Sequence, residues 1–334
     1  MDFQNINFDK KTILITGGAG FIGSSLAFYF QNHSQNARIV IFDCFRNENT
    51  LSNGNLSSFG HYKNLIGFDG EIICGNINNP QDLEILNSYK FDYIFHQAAI
   101  SDTRVYDQEL VTKTNINSFY WFLEKTKQDK ATMVYASSAA TYGNLPPPQK
   151  IGFENPENPY GYSKYVMDKV AIKFIKTYPD LNIFGLRFFN VYGPNEYYKN
   201  KTSSMVIQLG HQIMSGANPR LFENSANYFR DFVYIEDVIQ ANIKACLSIN
   251  SGIYNVGSGV SRSFQDVADI LQKELGTSYK TEYFKNPYFD YQSDTRADIS
   301  LTKSSLGYKP EFSLETGIKK YIPYIKKTFE LPFE

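Results

Sequence analysis

The chain has 334 residues, 42% of them hydrophobic, with 33 Lys and Arg against 34 Asp and Glu for a formal net charge of −1. That length suits one large α/β unit or two intimate domains, and the scattered charge argues against a nucleic-acid or membrane surface. Cys44, Cys74 and Cys246 are far apart in sequence and lack metal-ligand spacing, so a disulfide framework is excluded and a reducing, cytoplasmic setting is expected. Residues 1–11 are polar, without a signal-peptide core, and no apolar run is long enough to span a bilayer.

The run from Thr12 is a strand pattern that enters the turn Gly17-Gly18-Ala19-Gly20-Phe21-Ile22-Gly23. Apolar residues at helical spacing follow (Phe21, Ile22, Leu26, Ala27, Phe30). Glycines at 18, 20 and 23 fit G-x-G-x-x-G; those at 17, 20 and 23 fit G-x-x-G-x-x-G equally well. Such glycines let the backbone approach a pyrophosphate, and the helix start offers that anion free N–H groups and a positive dipole end. Asp43 ends the next apolar run, where a ribose-binding acid stands about 20 residues beyond the turn.

Further strands are predicted at 38–43, 71–74, 93–96, 132–137 and 182–187, with a polar loop over 44–63. Helices are predicted at 81–86, 107–128 and 160–178. This alternation predicts an α/β fold, a Rossmann-type doubly wound parallel sheet whose ligand lies at the carboxyl ends of the strands. Beyond residue 190 the pattern loosens, with helices near 202–215, 236–249 and 263–275 and a strand at 252–257. Residues 1–190 are therefore read as the dinucleotide-binding domain and 191–334 as a smaller mixed substrate lobe. Segments near 232–257 are expected to return to the sheet.

Two stretches carry chemistry. Ser137 to Gly143 ends the fifth strand, and Tyr160-Gly161-Tyr162-Ser163-Lys164 opens a helix. Tyr160 and Lys164, four apart, share a helix face. A phenol titrates near 10, roughly three units too high for a base at neutral pH, and an adjacent ammonium lowers it. Ser138 can hold the reacting oxygen, and Lys164 can also hold the nicotinamide ribose. The set suits hydride transfer at a carbinol carbon.

In order and spacing, T-G-G-A-G-F-I-G (16–23), H-Q-A-A (96–99), S-S-A-A-T-Y-G (137–143) and Y-G-Y-S-K (160–164) resemble the extended short-chain dehydrogenase/reductases. Those enzymes bind NAD(P) in a Rossmann domain and nucleotide sugars in the C-terminal part. Within them, L-F-E-N-S (221–225) before R-D-F-V-Y (230–234), and G-P-N-E-Y-Y-K (193–199), are similar to the ADP-glycero-manno-heptose 6-epimerases. The threonine–aspartate–glutamate set of the sugar 4,6-dehydratases is missing at 139–141.

The resemblance implies an isomerase that inverts C6 of an ADP-heptose for lipopolysaccharide precursors. It would proceed through transient oxidation to a 6-keto sugar by tightly held NADP, in a cytoplasmic homo-oligomer without nucleic-acid or membrane partners. Two bases serve the two faces of the ketone: Tyr160 for one epimer and Lys199 for the other, with Lys201 a neighbouring rival. Another nucleotide-sugar epimerase of 4-epimerase type, or a non-catalytic NADP-binding sensor or scaffold, is the alternative. Gly17, Gly20, Phe21, Ile22, Gly23, Asp43, Cys44, Lys63, Asn76, Ile77, Ala98, Ala99, Ile100, Asn115, Lys164 and Val191 would face the cofactor. Asn190, Gln208, Phe222, Glu223, Asn224, Ser225, Arg230 and Tyr291 would face the substrate, with Arg230 meeting the diphosphate. No metal is implied. Asp43 by itself favours NAD, whereas the resemblance implies NADP, for which Arg46 and Lys63 could supply charge. Cys44 replaces the usual asparagine, and Gly75-Asn76-Ile77 replaces G-D-I.

Overall fold

The structure, a computed structural model, describes residues 7–286 and 294–331. Seven strands form one parallel sheet: β1 (Thr12–Thr16), β2 (Arg38–Asp43), β3 (Glu71–Cys74), β4 (Tyr93–His96), β5 (Thr132–Ser138), β6 (Ile183–Phe188) and β10 (Gly252–Val256). Most are near-continuous β-branched and aromatic runs, as a sheet covered on both faces requires. Alternation within each strand divides the core. Ile13 and Ile15 face the helix Phe21–His33, while Leu14 faces Phe119, Phe122 and Leu123 on the other side.

The sheet order is β10-β6-β5-β4-β1-β2-β3, so winding reverses between β1 and β4. Ile13 pairs with Tyr93 and Thr16 with His96, which brings Gly17 beside Gln97 and Ala98 at the carboxyl edge. This is the topological switch point, where open α/β sheets bind ligands.

The predicted 107–128 helix comprises Gln108–Val111, a wider π-helical turn at Thr112–Asn117, and Ser118–Asp129. Polarity alone reads 44–63 as open loop, but Thr50 bridges Leu56 and Leu51 packs against Ile100, Val105 and Val111. Leu51 and Phe45 pack this stretch against the body, and two isolated apolar residues leave no periodic signature.

A second sheet holds β7 (Asn190–Tyr192), β9 (Phe229–Tyr234) and β11 (Ser261–Ser263) in the order β11-β9-β7, and β8 (Arg220–Phe222) pairs with β12 (Glu282–Phe284). Three helices, Met205–Met214, Phe264–Leu275 and Leu314–Phe329, pack together behind them. Of the segments expected to return to the large sheet near 232–257, Gly252–Val256 does so against Phe184–Phe188. Phe232–Tyr234 does not. It pairs with Asn190–Tyr192, because the chain leaves the large sheet after Phe188 and carries β7 to a new neighbour. Among the described residues no helix is long and apolar enough to cross a membrane.

The glycine turn has no slack. A Cβ at Gly23 would lie 2.2 Å from the Gly17 carbonyl oxygen. Gly23→Ala is expected to lower stability by about 1–3 kcal/mol through overpacking, read as a lower urea midpoint. An unchanged midpoint would show that the turn is looser than this packing implies.

Candidate active site

A cleft of about 730 Å³ runs along the carboxyl edge of the large sheet and under the second one. At one end stands the glycine turn. Gly17 sits at φ +68°, the left-handed region glycine favours, and a Cβ there would meet the Ala98 nitrogen at 2.8 Å. Gly20 caps the helix Phe21–His33, which has no side-chain cap and no acid in its first turn. Its N–H groups therefore remain for an anion in the cleft. Asp43 buttresses the turn, its two oxygens accepting from the Ala19 and Phe45 amides at 2.9 and 2.8 Å. Burial pushes its carboxyl up, opposed by those two bonds.

The cleft walls include Gly17, Gly20, Phe21, Ile22, Gly23, Asp43, Cys44, Asn76, Ile77, Ala98, Ala99, Ile100, Lys164 and Val191 of the expected cofactor set. Asn115 and Lys63 are not wall residues. Asn115, in the π-helical turn, accepts from Ile100 N at 2.9 Å and donates to Ile100 O at 3.0 Å and Ser163 Oγ at 2.9 Å. It braces the wall from behind, tying the end of β4 to the helix Pro159–Thr177. The Lys63 ammonium lies over the Tyr62 ring, 5.9 Å from its centroid. Arg46, offered as a second source of charge, donates to the Tyr198 carbonyl.

Ser138, Tyr160, Lys164 and Lys199 all line this cleft. Pro159 and the Asn158 side chain, which accepts from Gly161 N at 2.8 Å, start the helix that presents Tyr160 and Lys164 on one face. Burial raises the Tyr160 phenol, opposed by its hydrogen bond with Ser138. The expected lowering by Lys164 is not the acting cause. That ammonium, 5.9 Å from the Tyr160 ring centroid, donates to the Ala136 carbonyl at 2.7 Å. Burial pushes Lys164 down to about 8, against the charge of Asp168.

Asp168 was not singled out from the sequence, although it lies one helical turn beyond Lys164. It accepts from Tyr135 and Ser137 at 2.8 and 2.9 Å and from Arg187 Nε at 2.8 Å. Arg187 also reaches Glu154 at 2.7 Å. This buried network fixes the end of β5 against the helix Pro159–Thr177. An acid repeating the Tyr160–Lys164 interval was its available signal.

Lys199 rides on the short turn Tyr197–Thr202. Its Nζ lies 5.8 Å from the Phe21 ring centroid, and burial lowers it, opposed by Glu196 and Asp102. Its rival Lys201 is exposed and outside the cleft wall. Glu196, also missed, is buried and accepts from Gly193 N at 3.0 Å, Ser204 N at 2.6 Å and Ser204 Oγ at 2.8 Å, closing the loop that carries Lys199.

The expected substrate set divides. Asn190 and Arg230 line the main cleft, where Arg230 lies 5.6 Å from the Phe264 ring centroid. Gln208, Phe222 and Ser225 line an adjoining cavity of about 370 Å³, which shares Met205 and Phe264 with the first. Glu223 and Asn224 line neither: Glu223 N pairs with Phe284 O at 2.8 Å, and Asn224 turns the chain at φ +61°. Tyr291 lies outside the described residues.

The sequence matches the model of the NAD dependent epimerase/dehydratase family over residues 13–257. The chain belongs to this family. Membership supports a nicotinamide cofactor, and the glycine turn at the switch point, with no side-chain cap on its helix, is the candidate place for its pyrophosphate. The ADP-L-glycero-D-manno-heptose-6-epimerase of Brachyspira hyodysenteriae is 34% identical over 327 residues, 95% of this chain and 98% of that one. The crystal structure of the Helicobacter pylori ADP-L-glycero-D-manno-heptose-6-epimerase is 48% identical, with a TM-score of 0.90 over 98% of this chain and 99% of that one. The UDP-glucose 4-epimerase of Thermotoga maritima with UDP-glucose is 26% identical, with a TM-score of 0.83 over 96% and 100% of the two chains.

Asn115→Ala removes every partner that Asn115 gives the Ile100 amide and carbonyl. It is expected to cost about 1–3 kcal/mol and to lower the dinucleotide retained on gel filtration. Wild-type stability and retention would contradict a bracing role.

Proposed function

We propose that this chain interconverts the two C6 epimers of ADP-glycero-manno-heptose, using a tightly held NADP, in the formation of lipopolysaccharide precursors. The observation that carries the reading is the presence of two half-buried groups able to act as acid or base, Tyr160 and Lys199, on separate elements of one cleft. The relatives described above support the choice of sugar. When bound, the dinucleotide supplies a hydride acceptor and donor at the carbinol carbon.

The chain's own residues bind, orient and move protons. The turn from Gly17 to Gly23 and the first amides of its helix hold the pyrophosphate. Asp43 spends a bond from each oxygen on the turn, which weakens its hold on a ribose diol, and Arg46 and Lys63 put positive charge on the neighbouring segment. Both features favour NADP. Arg230 offers a guanidinium fork to the sugar's diphosphate. The rings of Phe222 and Phe284, 5.0 Å apart between centroids, offer the adjoining cavity to the base.

Epimers carry the reacting hydroxyl on opposite sides, so one fixed base cannot serve both. Tyr160, with Ser138 holding the oxygen, takes the hydroxyl proton of one epimer; Lys199 takes that of the other. Whichever group takes the proton on oxidation, its counterpart returns one to the carbonyl oxygen. Desolvation suits Lys199 to this work, because it brings an ammonium towards the pH at which it can give up its proton.

The pure protein should convert ADP-D-glycero-D-manno-heptose to the L-glycero epimer without added cofactor. Turnover of UDP-sugars in its place would identify a 4-epimerase. Tyr160→Phe and Lys199→Met should each lower the rate at least about 100-fold while bound dinucleotide survives; full activity in Lys199→Met would overturn the two-base reading. Denaturation should release NADP by mass, and NAD would contradict the cofactor assignment.

A further inference from the structure

The short turn Tyr62–Leu65 touches both the glycine turn and the segment that carries Lys199. Its buried Asn64 makes both contacts through one nitrogen. Asn64 Nδ2 donates to the Ala19 carbonyl at 3.1 Å and to the Asn195 carbonyl at 3.2 Å. Ala19 lies within the Gly17–Gly23 turn, and Asn195 stands in G-P-N-E-Y-Y-K ahead of Lys199. A carboxamide nitrogen carries two hydrogens and can serve both acceptors at once, whereas a hydroxyl carries one.

Neighbouring contacts run the same way. Asn195 Nδ2 donates to Ser24 Oγ at 3.2 Å, and Ser24 Oγ donates to Phe21 O at 3.2 Å, in the opening of the helix whose amides face the cleft. Asn195 holds φ +77°, a left-handed backbone that asparagine tolerates better than most residues. His61 N donates to the Ala19 carbonyl at 3.0 Å, and its ring stacks on that of Tyr198, 3.9 Å between centroids and 3° between planes. The Ala19 amide already donates to Asp43 at 2.9 Å, so this peptide unit is held from both sides.

Asn64, Asn195 and Ser24 lie behind the cleft wall. The groups they join belong to different parts of the fold. The glycine turn follows β1 of the large sheet, and the Lys199 turn follows β7 of the second one. The first places the hydride carrier and the second places a proton carrier, and both must meet one carbinol carbon. Such constellations work within roughly 0.5 Å, and a misplacement of about 1 Å can cost about 100-fold in rate.

We propose that Asn64 is a positioning residue for Lys199: its carboxamide, with the Asn195–Ser24 bond beside it, clamps the Lys199 turn in register with the glycine turn that holds the cofactor. This rests on Lys199 serving as an acid/base, and the test separates the two claims.

In Asn64→Ala the maximal rate per bound cofactor should fall about tenfold, with KM for ADP-heptose changed less than about twofold. Counting bound cofactor sets aside any dinucleotide lost through Ala19. A residue that acts through Lys199 has nothing left to position once that lysine is gone. Added to Lys199→Met, Asn64→Ala should therefore lower the residual rate less than about twofold. The same tenfold fall in both backgrounds would mark a general structural role and overturn the proposal. A wild-type rate in Asn64→Ala, with Lys199→Met crippled, would overturn the role of Asn64 and leave that of Lys199 standing. Full activity in Lys199→Met would overturn both. Should Asn64→Ala fail to fold, Asn195→Gly keeps the left-handed backbone and removes the bond to Ser24. The rate per bound cofactor should then fall about threefold or more, and an unchanged rate would overturn the proposal.

Discussion

The close approach of the glycine turn to the end of β4 governs the arrangement of this molecule. Gly17 stands against the Ala98 backbone with no room for a side chain, and Asp43 ties the turn to the end of β2 through Ala19 and Phe45. The helix Phe21–His33 thereby starts at the reversal of the sheet, its amides directed at the cleft. Everything that lines the cleft is placed relative to that point: the Ile100 wall braced by Asn115, the β5 end braced by Asp168, and the Lys199 turn beside Phe21.

One physical effect prepares both lysines. Desolvation lowers Lys164 and Lys199, and in each case a carboxylate limits the fall: Asp168 for the first, Glu196 and Asp102 for the second. Their settings differ. The acid beside Lys164 is locked into a buried network with Arg187, Tyr135 and Ser137 and belongs to the rigid sheet. Asp102 accepts from two asparagines of the segment after β2 and from Arg104. The architecture thus places a stiffly held Tyr160–Lys164 pair on one side of the cleft and Lys199, on its short turn beside Phe21, on another.

Much of this was legible in the residues. Strand runs such as Arg38–Asp43 and Tyr93–His96 were legible to the residue, because buried parallel strands are continuous apolar runs. The glycine turn and Y-x-x-x-K motif were legible because their chemistry requires fixed spacing. The two smaller sheets were less so: β7, β8, β11 and β12 are three residues each, too short for a period. Asn115 was expected at the cofactor from the resemblance, and its bracing from behind the wall depends on a π-helical turn that composition does not announce. Glu223 and Asn224 came from the L-F-E-N-S segment and Lys63 from its charge near Asp43, and all three line neither cavity. Glu196 stood inside the G-P-N-E-Y-Y-K segment, but its bonds to Gly193 and Ser204 depend on the fold of the turn; Asp102 had no sequence signal, because a buried acid is distinguished from a solvated one only by donors that arrive from other segments.

The central claim is a cofactor that stays in its cleft and serves the same sugar in both half-reactions. The most direct measurement is crossover of a carbon-bound label: ADP-heptose carrying deuterium at C6 is epimerised together with unlabelled sugar bearing a heavy-isotope mass tag elsewhere. The account predicts that deuterium remains on C6 of the molecules that brought it, with none lost to water. Deuterium appearing in the tagged product, or exchanged for solvent hydrogen, would contradict it.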